Sequence, residues 1–172
     1  EAHLIAYDAF PNKALEKEYG FSYVELNTLF KESHIISLHL PLLPSTTHLI
    51  DQKAVKIMRK GIYIINTARG GLIEPEALLR GLQDGTIAGA GLDVLEEEGQ
   101  MVDENMLLAT AHPNEQRLRI VLANHYLINH PQVIVTAHIA FNTQEAIERI
   151  LNVTIDNIQA FKNEAPIHIV NP

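Results

Sequence analysis

Cysteine and tryptophan are absent from the chain, and aromatics make up only 6% of it. Without cysteine there are no disulfides, no thiolate nucleophile and no cysteine-held metal. Basic residues are also scarce, with 13 Lys and Arg against 21 Asp and Glu, for a formal charge of −8. No segment concentrates the basic ones. That argues against a nucleic-acid partner, since binding phosphates needs a concentrated basic surface. No apolar run approaches the length of a membrane-spanning helix. The first ten residues, EAHLIAYDAF, lack a basic region followed by a long apolar one, so no secretory signal is visible. A soluble cytoplasmic protein is the expectation. His-rich metal patterns are missing too: His125 and His130 are five apart, a poor spacing for one helical face, and no HExxH occurs. No metal site is expected. Nor does any Gly-x-Gly-x-x-Gly turn occur; GAGLD reads as the inside of a strand, with its glycines there for close packing.

What is there organises itself around Ile64 to Glu98. GIYIIN, from Gly61 to Asn66, is apolar without alternation, as a strand buried on both faces should be. It ends in Asn66, Thr67, Ala68, Arg69 and the Gly70-Gly71 pair, which lets the chain turn sharply beneath the strand tip. Glu74-Pro75-Glu76 opens a helix with proline in its first turn, Leu78, Leu79 and Leu82 give its apolar face, and Asp84-Gly85 stops it. A second buried strand, Ile87 to Val94, delivers Asp93 and then Glu96, Glu97 and Glu98. Two neighbouring strand tips therefore present an arginine and a cluster of acids, and open α/β sheets place ligands at such tips.

The remainder repeats the pattern. His3 to Tyr7 is a short strand ending at Asp8, followed by a helix from Lys13 to Tyr19 that Gly20 closes. An acid in Asp8's place can accept both hydroxyls of an adenosine ribose, although a turn aspartate is the plainer reading of the local sequence. FSYVEL is a brief strand, residues 27–31 a short helix, and His34 to Leu42 another buried strand that Pro41 and Pro44 end. Ser45-Thr46-Thr47 forms a polar loop at its tip, and Asp51 caps a helix through Met58. After Glu98 the pattern weakens. Residues 105–111 and 115–128 look helical, the second with Leu118, Val121, Leu122 and Leu127 on one face, and the segment reads as a surface insertion. Residues 131–141 restore a buried strand with His138 just beyond its end, and an amphipathic helix runs from Thr143 to about Lys162.

Taken singly, an arginine after a strand, a run of acids and one histidine each have an ordinary structural explanation. On three strand tips of one sheet their roles fit a single reaction. Arginine's planar fork can hold the carboxylate of a 2-oxo acid. A histidine can give a proton to its carbonyl oxygen while hydride arrives from a nicotinamide, and a nearby carboxylate would fix the imidazole's tautomer.

These residues resemble the D-isomer-specific 2-hydroxyacid dehydrogenases. The resemblance runs through IAYD, HLPLLPSTTHLI, INTARGGLIEPEALLRGL, GAGLDVLEEE and TAHIAFNT, in order and nearly end to end. It implies that Arg69 binds substrate, that His138 is the proton donor and acceptor, and that Glu98, five residues past Asp93, pairs with it. For NAD it implies Asp8 at the adenosine ribose, Leu40, Pro41 and Thr46 in the loop beside the cofactor, Thr67 and Ala68 at a strand tip with Arg69, and Asp93 near the nicotinamide. HIAFNT and the insertion after Glu98 look most like the D-lactate dehydrogenase branch, and Ala137 departs from the usual proline before the histidine. The implied fold is an incomplete doubly wound parallel (Rossmann-like) sheet lacking its first strand and glycine-rich turn. Residues 1–142 would form a partial NAD-binding domain, with the insertion at about 99–130. Residues 143–172 would be a helix and tail returning toward a missing substrate domain. Because the first strand is central in the 3-2-1-4-5-6 order, its absence should leave a gap between the Asp8 strand and the His34–Leu40 strand, with two unpaired edges. The resemblance implies a homodimer, filling the gap would take a rearrangement, a swapped partner or a complementing chain, and these residues alone should have little activity. The competing reading is an inactive remnant serving as an NAD-sensing or protein-docking module; retention of the arginine, the acid and the histidine argues against it.

Overall fold

Short β-branched runs alternate with helices along the first 137 residues, and in the computed structural model of the chain they build parallel sheets. The structure describes residues 3–97 and 114–170. They fall into two units, Glu1–Ala137 and His138–Pro172. In the first, β1 (Ile5–Ala6) pairs with β2 (Ser22–Tyr23), and β3 (Ile35–Leu38), β4 (Ile62–Asn66), β5 (Ile87–Leu92) and β6 (Val133–Val135) form a four-stranded sheet in that order. All pairings are parallel. The two sheets are separate, with β1 and β3 unpaired to each other, where the sequence leads one to expect a gap. The fold is thus the expected incomplete, Rossmann-like α/β arrangement.

Local signals set the crossover helices. α1 (Lys13–Tyr19) starts at Asn12, whose side chain accepts from Ala14 N, and stops at Gly20 in the left-handed conformation. α2 (Leu26–Glu32) leads into β3, and α3 (Gln52–Ile57) is capped by Asp51, whose carboxylate accepts from Ala54 N at 2.7 Å. α4 (Pro75–Asp84) has proline at its start and left-handed Gly85 at its end. In the second unit, α6 (Gln144–Lys162) is capped by Thr143.

β3, β4 and β6 bury one face, not two. Ile36, Leu38, Ile62, Ile64, Ile87 and Leu92 form the core with Val55, Leu78, Leu82 and Leu127. Ile35, Tyr63 and Ile134 on the other side are exposed. The double burial read from the unbroken apolar runs of β3 and β4 is therefore corrected: α2, α3, α4 and α5 (Glu115–Ile128) pack on one another as a single layer over one face. β3 also stops at Leu38, short of the expected Leu42, and the chain leaves the sheet ahead of Pro41.

α5 changes the reading of the supposed insertion. The expected helix at 105–111 lies outside the described residues, but α5 packs on α4 and β6, and Leu127 is only 1% exposed. Its inward edge is Val121, Ala123, Asn124 and Leu127, whereas Leu118 and Leu122 are exposed. The helix is rotated from the expected stripe so that Asn124 can donate from Nδ2 to Glu96 O at 2.8 Å. Leu127→Ala should accordingly lower stability by about 3 kcal/mol, the cost of a cavity in a packed core. The midpoint of urea unfolding reads this directly. An insertion lying on the surface would lose less than about 0.5 kcal/mol.

Candidate functional site at the strand tips

Because β3 to β6 are parallel and adjacent, the loops that follow them line one edge of the sheet. The most tightly organised follows β4. Asn66, 1% exposed, turns its side chain onto its own loop. Its Oδ1 accepts from Ala68 N at 3.1 Å and its Nδ2 donates to Arg69 O at 2.9 Å. A single buried amide thus performs the work of backbone pairing beyond the strand end. The Arg69 side chain stands at the exposed rim, with Nη1 donating to Ala68 O at 2.6 Å. After Arg69 comes a 3-10 turn, Gly70–Leu72. A Cβ on Gly70 would overlap the backbone of Leu95 and Glu96, so this turn and the loop after β5 touch main chain to main chain.

That second loop begins with Asp93, which is 4% exposed. Its N–H donates to Asn66 O at 2.9 Å, and its carboxylate accepts from Thr136 Oγ1 just past β6. Asp93 therefore ties three successive strand tips together. Glu96 is half-buried, and its Oε1 lies 2.8 Å from His48 Nε2. Glu98 lies outside the described residues.

The other expected positions distribute as follows. Leu40 is half-buried and Pro41 exposed at the tip of β3. Thr46 Oγ1 donates to Pro41 O at 2.7 Å and accepts from Leu43 N at 2.8 Å, so its hydroxyl closes the loop. Thr67 is exposed and Ala68 half-buried beside Arg69. Asp8 is exposed two residues beyond β1, on the other sheet, with Oδ1 accepting from Phe10 N at 2.8 Å in the plain turn role. His138 opens the second unit in the left-handed conformation, at φ 54°. The sheet thus brings together Leu40, Pro41, Thr46, Thr67, Ala68, Arg69 and Asp93. Sequence reasoning missed Asn66, Thr136, Asn124 and the His48–Glu96 contact. Of these only Asn66 carried a local signal, as an amide-bearing residue at a strand end.

Parallel strands in chain order, crossover helices and a polar rim at the strand tips define a nucleotide-binding α/β domain. The kind is settled by comparison. Residues 1–140 match the family described as "D-isomer specific 2-hydroxyacid dehydrogenase, NAD binding domain", and the chain belongs to that family. It is 39% identical over 159 residues to an aromatic 2-oxoacid reductase of Clostridium sporogenes, covering 92% of this chain and 45% of that protein. To a D-lactate dehydrogenase of Treponema pallidum it is 38% identical over 155 residues, covering 90% and 44%. A crystal structure of a Treponema pallidum D-lactate dehydrogenase superposes with a TM-score of 0.81 at 34% identity, covering 97% of this chain and 47% of that one. A D-lactate dehydrogenase from Aquifex aeolicus, solved with NAD and lactic acid, superposes with a TM-score of 0.74 at 33% identity, covering 94% and 46%. The chain spans just under half the length of these relatives.

NAD, the cofactor of this domain family, fits part of the rim. Exposed Asp8 suits a ribose, and the exposed tips of β3 and β4 offer hydroxyl and peptide groups to the rest of the molecule. For the pyrophosphate, these 172 residues supply no Gly-x-Gly-x-x-Gly turn. Among the described residues there is no cluster of three metal-ligating side chains, and no helix is long and apolar enough to cross a membrane.

Proposed function

We propose that this chain is the cofactor-side part of an NAD-dependent dehydrogenase that interconverts a small 2-oxo acid and its D-2-hydroxy acid. The observation that carries the reading is Arg69: an exposed guanidinium on a backbone that Asn66 locks from beneath. Its fork holds the substrate carboxylate with two parallel N–H donors. NAD, when bound, supplies or accepts the hydride. His138 gives a proton to the carbonyl oxygen in reduction and takes it back in oxidation, and Glu98 holds the imidazole in the tautomer this requires. Asp8, Leu40, Pro41, Thr46, Thr67, Ala68 and Asp93 line the cofactor's path. The names of the relatives, among them aromatic 2-oxoacid reductase and D-lactate dehydrogenase, support a 2-oxo acid and its 2-hydroxy acid as the substrate pair. The gap between β1 and β3 is filled by a strand from elsewhere, either more of the same polypeptide or a partner chain.

The test is turnover of pyruvate and NADH by the natural full-length polypeptide that carries this sequence. His138→Ala should lower kcat about a thousandfold, the usual span for losing a positioned acid–base group. The 172 residues alone should show little activity. Saturable quenching of NADH fluorescence with no turnover by the full-length polypeptide would end the enzymatic reading and leave a sensing module.

A further inference from the structure

Three loops meet around Gly70 and Gly71, and side chains absent from the reaction scheme close the arrangement. The loop after β3 runs beside the Arg69 turn: His48 N–H donates to Gly71 O at 2.8 Å and Ile50 N–H to Leu72 O at 3.0 Å. On the opposite side Gly70 rests on the backbone of Leu95 and Glu96. Two sides of a triangle are thus main-chain contacts. The third is the pair of side chains His48 and Glu96, joined at 2.8 Å between Nε2 and Oε1. We propose that His48 and Glu96 are positioning residues whose contact clamps the loop after β3 to the loop after β5, fixing the turn that carries Arg69. The proposal rests on the reading of Arg69 as the carboxylate anchor.

Several observations set this pair apart from a casual surface contact. A carboxylate oxygen is an acceptor, so Nε2 of His48 is the donor in this contact. The two side chains are 31% and 16% exposed, and Glu96 Oε2 is buried without a hydrogen-bond partner among the described residues. Losing His48 would leave a half-buried carboxylate with neither oxygen paired. His48 holds the left-handed conformation at φ 51°, which costs a non-glycine residue roughly 1 kcal/mol. Its backbone bond to Gly71 and its ring bond to Glu96 together offset that. Nearby Arg119 does not substitute, for its guanidinium reaches Glu115 at 2.8 Å and Glu76 at 3.7 Å. Glu96 is held from behind as well, its carbonyl accepting from buried Asn124 of α5. The clamp therefore hangs on the helical layer and sets the Arg69 turn together with the loop after β5 at Glu96.

The test uses the natural full-length polypeptide with His48→Ala, Glu96→Ala, the double variant and Glu96→Gln, which keeps an acceptor oxygen. His48→Ala and Glu96→Ala should each raise KM for pyruvate about tenfold, because the anchor is misplaced and not removed, while KM for NADH changes little. The double variant should be no worse than the worse single one, as for residues that act as a unit. Glu96→Gln should restore most of the loss. Hydrogen exchange supplies an arm that needs no turnover: the amides of Ala68, Leu72 and Ile73 should exchange about tenfold faster in both alanine variants while Ile64 is unaffected. Unchanged exchange at those three amides would overturn the clamp. So would equal acceleration at Ile64, which marks general destabilisation, or additive effects in the double variant. If the unaltered polypeptide lacks turnover, the functional reading fails while exchange still decides whether the clamp exists.

Discussion

Arg69→Ala should lower kcat/KM for a 2-oxo acid about a thousandfold in the full-length polypeptide, the cost of deleting one partner of a desolvated charge pair. Thermal stability should hardly move. The guanidinium is exposed and, among the described residues, bonds to the carbonyl of the preceding residue, so folding does not depend on it. Arg69→Lys keeps the charge but offers a point donor in place of a fork and should recover only a small part of the loss. An aldehyde of the same length, which has no carboxylate to anchor, distinguishes the mechanism: wild type and Arg69→Ala should reduce it at similar low rates. A large effect of the substitution on the aldehyde as well would show that Arg69 acts on something other than the carboxylate.

Among the described glycines, Gly70→Ala should be the most damaging replacement of a hydrogen by a methyl. The added Cβ would land on the backbone of Leu95 and Glu96, which cannot rotate out of its way as a side chain could. Either the Arg69 turn or the loop after β5 must move, at a cost of about 3 kcal/mol or more. Gly71→Ala provides the control. Its Cβ would meet only Leu42 side-chain carbons, at 3.1 and 3.2 Å, and Leu42 is exposed enough to yield. Denaturation midpoints of the two variants, measured side by side, should differ widely. Near-equal midpoints would mean that the main-chain contact is not what holds the two loops together.

Much of this architecture could be read from the residues because its signals are local. Asn12, Asp51 and Thr143 begin helices and Gly20 and Gly85 end them through bonds that span a few residues, and such bonds leave a pattern in the sequence. Strand length and burial were less legible. An apolar run shows that a strand can be covered on both sides, yet whether a second layer is present depends on distant chain, and Ile35 and Tyr63 look the same either way. The phase of α5 was misread because Asn124, a residue that hydropathy assigns to water, is fully buried to serve the Glu96 carbonyl. His48 and Glu96 are 48 positions apart on different loops, and no periodicity links them. Asp93 was expected beside the nicotinamide; its bond to Thr136 is equally a product of the fold, since two separate strands must first lie side by side.

The order β3-β4-β5-β6 in space is also the order in the chain. During synthesis each of these strands from β4 onward emerges next to a neighbour that already exists, joined to it by a single crossover, so the sheet can be laid down from its amino end without any strand being threaded in late. The Arg69 turn acquires its backbone support as soon as residues 95 and 96 leave the ribosome, some forty positions ahead of the histidine. The turn that carries Arg69 can be complete before His138, the residue proposed here as proton donor, has been made.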